Sequence, residues 1–133
     1  MTAKCQLSHE EFTTPFSEIL AELARDCEGF ETAVFFDEVG ETIDFYTRLD
    51  PFGARLVAAY HVVLFLSAQT RLAWLGAGRA TQLEIFAEHR ESVTMEVGDG
   101  YFVTAVVRTG HSGETLLVQL GEVARRLRAE AGV

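Results

Sequence analysis

The run from Asp50 to Trp74, "DPFGARLVAAYHVVLFLSAQTRLAW", limits the possible folds more than any other stretch of the chain. Asp50 followed by Pro51 marks a helix start, with a side-chain acceptor at the N-cap and then a residue whose fixed φ suits the first turn. The pattern predicts one helix to about Trp74, stopped by "LGAG" at Leu75–Gly78. At about 100° per residue, Phe52, Leu56, Ala59, Val63, Leu66 and Thr70 share one stripe, and Ala54, Val57, His61, Phe65, Ala68 and Leu72 share the stripe opposite. Both stripes are apolar. One sheet covers only one side of a helix, so the other side must meet a second part of this chain or another chain. The expectation is a dimer or partner interface formed by Ala54, Val57, His61, Phe65, Ala68 and Leu72, with Leu83 and Ile85 from the strand that follows.

The flanking sequence supplies the rest of the architecture. Thr14-Pro15 is a second cap-plus-proline start, with Phe16, Ile19, Leu20, Leu23 and Cys27 on one helical stripe and Gly29 past its end. "SHEE" at Ser8–Glu11 fits a capping box and predicts a short extra turn upstream. In "VFFDEVGETIDFY", Asp37 suits the first position of a turn and Gly40 its left-handed position, so the acids read as a hairpin tip. Ala33–Phe36 is apolar without alternation, as in a strand covered on both faces, whereas Thr42–Tyr46 alternates like an edge. After the long helix, Gln82–Glu88, Ser92–Val97 and Tyr101–Arg108 read as an antiparallel meander turned at "HRE" and "GDG", with the last strand central. Ser112 is the expected cap of a final helix whose seam is Leu116, Leu120, Val123 and Leu127. The predicted order is α-β-β-α-β-β-β-α, an α/β (α+β) class. A chain of 133 residues fits one domain, 1–133, with a short N-terminal extension 1–13.

Composition excludes several functions. The formal charge is −9, which argues against nucleic acid, since phosphate binding needs clustered Lys and Arg. The stretch 51–80 nevertheless carries Arg55, Arg71 and Arg79 and no acid. Cys5 and Cys27 lack CxxC spacing, which predicts two reduced thiols rather than a disulfide or zinc site. The N-terminus has no signal-like apolar core, and the longest apolar run, Val62–Ala68, is far too short to span a bilayer. The expectation is cytoplasmic residence without membrane insertion.

No motif argues for catalysis. Asp37, Glu38, Glu41 and Asp44 lie at a solvated tip, where nothing raises a carboxyl pKa for acid–base work. "GAGR" at Gly76–Arg79 follows a helix rather than a strand and lacks a GK[ST] ending, so no nucleotide cofactor is expected. His9, His61, His89 and His111 show no metal-ligand spacing, and no metal is expected. His111-Ser112 are adjacent and cannot serve as separately held base and nucleophile.

The central helix opened by "LDPF", and above all "ESVTMEVGDGYFVTAVV" leading to "GETLLVQLGEVARRLRAE", resemble the Roadblock/dynein light chain family, including its bacterial branch. The resemblance covers Pro15 to about Glu130. It implies a five-stranded antiparallel sheet sandwiched between helices in a Roadblock/longin/profilin-like layering, with the central helix on one sheet face and the terminal helices on the other. It further implies a homodimer formed through the third strand and central helix, and a non-enzymatic role in binding or modulating a small Ras-like GTPase, as in bacterial polarity or motility control. The chain differs from many members in its bulky central helix, which carries Tyr60, Phe65 and Trp74. The alternative is a small-molecule sensor whose pocket would be lined by Phe35, Phe36, Tyr60, Phe65 and Trp74.

Overall fold

Each predicted helix start is met by its cap in the computed structural model, which describes residues 13–133, with one exception at the last helix. The predicted turn at Ser8–Glu11, Cys5 and His9 lie outside these residues. Thr14 begins α1 (Pro15–Asp26): its Oγ1 accepts from the Ser17 amide at 3.1 Å, and the Ser17 hydroxyl oxygen accepts from the Thr14 amide at 2.8 Å. Asp50 begins α2 (Pro51–Trp74), accepting from the Gly53 amide at 3.0 Å. The last helix, α3 (Glu114–Ala131), corrects an expectation, because its N-cap is Gly113 and no side chain caps it. The Ser112 hydroxyl instead donates to Glu91 at 2.7 Å. A buried carboxylate from a distant strand outcompetes the helix end for it.

The strands are β1 (Phe30–Asp37), β2 (Thr42–Thr47), β3 (Gln82–Phe86), β4 (Arg90–Gly98) and β5 (Tyr101–Arg108). They form one antiparallel sheet in the order β2-β1-β5-β4-β3, so β5 is central and β2 and β3 are the edges. The acids of the first hairpin do build a turn. Asp37 Oδ1 accepts from the amides of Val39 and Glu41, both at 3.0 Å, and Gly40 sits at φ +84°. At "GDG", Asp99 and Gly100 both have positive φ, 50° and 80°, the conformation of a two-residue hairpin turn.

Helices cover both faces. On one side α1 and α3 pack over Ala33, Phe35, Val93, Val103 and Val107 through Leu20, Leu23, Leu120 and Leu127. On the other, Ala54, Ala58, Val62 and Phe65 of α2 meet Val34, Phe36 and Phe102. Alternate residues of β1 thus enter different cores, which explains its unbroken apolar sequence. Beneath α2 the buried hydroxyls satisfy one another, Thr94 with Thr104 at 2.6 Å and Thr32 with Thr47 at 2.5 Å. By length and composition α2 could cross a bilayer, with a mean hydropathy of 1.4. A long core helix passes the same test, and the inner face of α2 is packed on the sheet.

Candidate functional site on the central helix and the open sheet edge

Three surfaces of α2 have different surroundings. The inner face, Ala54, Ala58, Val62 and Phe65, is buried against the sheet; alanine at two of these positions lets the helix axis approach the strands. The outer face is large and exposed: Phe52 is 69% accessible, Tyr60 63%, Val63 63% and Trp74 81%. Between them runs a flank carrying Val57, His61, Ala68 and Leu72, all half-buried. Because α2 lies mainly over β1, β2 and β5, this flank and the half-buried Leu83 and Ile85 of β3 leave an apolar step beside the helix.

This arrangement divides the expected interface. Val57, His61, Ala68, Leu72, Leu83 and Ile85 are gathered around the step, with Val57, Leu72 and Leu83 packed against the α2 core cluster. Ala54 and Phe65 are not on a free face. Both are fully buried, and the Phe65 ring lies 5.0 Å from that of Phe102, so these two residues hold the protomer together. With two apolar stripes, hydrophobicity did not distinguish inner from outer. The usable signal was size: Ala54 and Ala58 recur four apart, whereas Tyr60, Val63 and Trp74 are bulky.

Beside the step, β3 has an edge that is unpaired among the described residues. The Ala87 amide donates to the Arg90 carbonyl at 3.0 Å, and alternation from that pair turns the backbone groups of Gln82, Glu84 and Phe86 away from β4. An edge of this kind accepts another strand. The opposite edge is less open, since Asp44 accepts from the Phe45 amide at 2.8 Å and from the Thr14 hydroxyl.

His61 joins α2 to the sheet. Its Nδ1 lies 2.8 Å from the Val57 carbonyl and its Nε2 2.9 Å from the Ser92 hydroxyl. A carbonyl only accepts, so Nδ1 carries the proton and the Nε2 lone pair accepts from Ser92. Burial pushes the His61 pKa below its ordinary value, partly opposed by the Val57 bond. The pair has the contacts of a base and a nucleophile, and its 31-residue separation hid it from the sequence. Ser92 is only 7% accessible beneath the helix, which bars an acyl group from its oxygen. His111-Ser112 serves structure instead: Glu91 accepts from the Gly110 amide, the Ser112 amide and the Ser112 hydroxyl, and the His111 ring packs over Gly29.

The remaining candidates are dispersed. Gly76 and Gly78, at φ +66° and +87°, end the helix, and Arg79 pairs with Glu96. Arg71 donates to the Ser67 hydroxyl at 2.8 Å, while Arg55 is exposed beside Phe45 and Ile43. Among the described residues, no three of His, Cys, Asp and Glu gather as metal ligands would. The five aromatics of the sensor reading do not converge. Phe35 lies in the α1/α3 core, Phe36 and Phe65 in the α2 core, and Tyr60 and Trp74 outside both. A groove of about 430 Å³ is lined by polar residues such as Ser17, Glu22, Arg25 and Arg126, not by these rings.

The backbone closely follows that of known structures. The Roadblock/LC7 domain from Streptomyces avermitilis superposes with a TM-score of 0.82 at 15% identity, over 88% of this chain and 98% of that one. The chain has the Roadblock/LC7 fold. MglB from Myxococcus xanthus gives a TM-score of 0.80 at 10% identity, covering 91% of this chain and 98% of that chain. The gliding protein MglB from Thermus thermophilus gives 0.77 at 17%, covering 89% and 91%. No protein-family model and no curated protein matches the sequence. The Roadblock/LC7 likeness is thus carried by the order and packing of the elements. The step and the open strand edge lie on α2 and β3.

Proposed function

We propose that the protein is a non-enzymatic, cytoplasmic regulatory or scaffold module that pairs with a second copy of itself and binds a small Ras-like GTPase. The carrying observation is the exposed outer face of α2, with Phe52, Tyr60, Val63 and Trp74, beside the separate step at the flank and β3 edge. Apolar surface of this extent on a small protein marks an interaction site. Two surfaces allow two partners at once: β3 edges pair between copies, burying the step, and the outer helix face stays available to the GTPase. The MglB structures, one of them described as a tetrameric arrangement, support self-association as the reading for a chain of this fold.

Any effect on GTP turnover then comes from positioning the partner's own groups. An arginine finger must reach a phosphate and stabilise charge there. Arg79 is held by Glu96 and Arg71 by its own helix, which leaves Arg55 exposed at the margin of the surface. The test is co-purification from the native cell, followed by GTP turnover with the protein alone, the captured GTPase alone and both, using Arg→Ala at positions 55, 71 and 79. The reading expects no turnover from the protein alone. Turnover by the protein alone refutes it, and a loss of stimulation of about 10³-fold from one arginine replaces positioning with a finger.

A further inference from the structure

His61 is a titratable side chain at the joint between two layers, and the proposed function gives its ionisation no role. Its ring is tied to α2 through the Val57 carbonyl and to β4 through the Ser92 hydroxyl. We propose that this joint makes the seat of α2 on the sheet responsive to protons: held at neutral pH and above, and loosened on acidification.

The surroundings support this because, among the described residues, no acid faces the ring to receive a positive charge. On its own helix, the residues one turn away are Val57, Ala58, Leu64 and Phe65. Ser92 faces it from β4; farther along the same face, Arg90 is engaged by Glu31 at 2.5 Å and Glu96 by Arg79. The register places Leu83 and Ile85 of β3, Thr104 and Val106 of β5, and Thr32 and Val34 of β1 on that side of the sheet. Adding a proton converts Nε2 from acceptor to donor, so Ser92 must stop donating to it, and the charge sits in a site without a counter-ion.

The direction follows from linkage. Burial lowers the folded-state pKa of His61, so the unfolded or undocked chain takes the proton first as pH falls through about 6.5. The stabilisation is complete above that range and is lost as pH falls through the folded-state value. One linked proton changes the docking equilibrium by at most about tenfold per pH unit. The joint lies in the apolar step, so loosening it disturbs the surface assigned above to self-association. The proposal itself concerns α2 in each protomer and holds whether or not the protein pairs.

The experiment is amide hydrogen exchange of α2, corrected for intrinsic rates, from pH 8 to 5.5 in the wild type, His61→Gln and Ser92→Ala. It is run beside an NMR titration of the His61 ring. The wild type should lose α2 protection severalfold more than α1 or α3 does, beginning as pH falls below about 6.5 and levelling off once the ring itself has titrated. His61→Gln should show a flat response, and Ser92→Ala should move the ring midpoint upward, because a bond to the neutral form is gone. Equal pH responses in wild type and His61→Gln overturn the proposal, as does wild-type protection that stays flat between about pH 6.5 and the ring midpoint. Should His61→Gln fail to fold, Ser92→Ala decides: an upward midpoint with a smaller acid-induced loss of protection supports the joint, and an unchanged midpoint refutes it.

Discussion

Replacing Phe65 by alanine tests which side of α2 holds the protomer together. The side chain is fully buried and packs 5.0 Å from Phe102 within the cluster that seats the helix. Removing a buried phenyl ring costs about 3–5 kcal/mol, of which the aromatic pair supplies about 0.5–1.5. Against a typical total stability of about 5–15 kcal/mol, that is a large fraction. Val63→Ala is the control on the outer face. Val63 is 63% accessible, and its truncation should change protomer stability by no more than about 0.5 kcal/mol. The assay is urea denaturation followed by circular dichroism, repeated over a dilution series so that association does not enter the comparison. With a slope of about 1–3 kcal/mol/M, the Phe65→Ala midpoint should fall by roughly 1–5 M, and Val63→Ala should track the wild type. A stable Phe65→Ala protein that has lost only self-association would reverse the assigned orientation of the helix.

Three further outcomes follow from the same packing. Gly29→Ala should cost about 1–3 kcal/mol and lower the melting temperature by several degrees, since Gly29 is at φ +81° and a Cβ would lie 2.6 Å from His111 Cδ2; an unchanged melt would show that the loop simply shifts. The Ser112 hydroxyl and then the Gly110 amide hold the Glu91 carboxyl below the usual carboxylate range. Its contribution is therefore complete above the unfolded-state value, near about 4.3, and disappears as pH falls through the folded-state one, so the melting difference between wild type and Glu91→Gln should be wide at pH 7 and narrow at pH 3. Tyr60→Asp with Val63→Asp should abolish capture of the GTPase while leaving the hydrodynamic size unchanged; loss of both together would merge the two surfaces into one.

What the sequence disclosed was local chemistry. Thr14-Pro15 and Asp50-Pro51 fix helix starts through bonds spanning three residues, and "GDG" fixes a turn through two left-handed positions, so neither needs the rest of the chain. The unbroken apolar stretch of β1 likewise announced coverage on both faces. What it withheld depends on contacts distant in sequence. Ser112 looks like a cap until Glu91, across the fold, takes its hydroxyl, and His61 looks like one more interface residue until Ser92 is brought to 2.9 Å. The orientation of α2 was hidden for a different reason. Both of its faces are apolar, and only the small residues Ala54 and Ala58 mark the side that approaches the sheet.

Sedimentation velocity of the wild type and Glu84→Pro at micromolar concentration tests the self-association claim most directly. The Glu84 amide points away from β4, so proline there removes a donor from the free edge without breaking a ladder bond within the protomer. The account predicts a dimeric wild type and a folded, monomeric Glu84→Pro protein. A monomeric wild type, or a Glu84→Pro protein that still pairs, would contradict it.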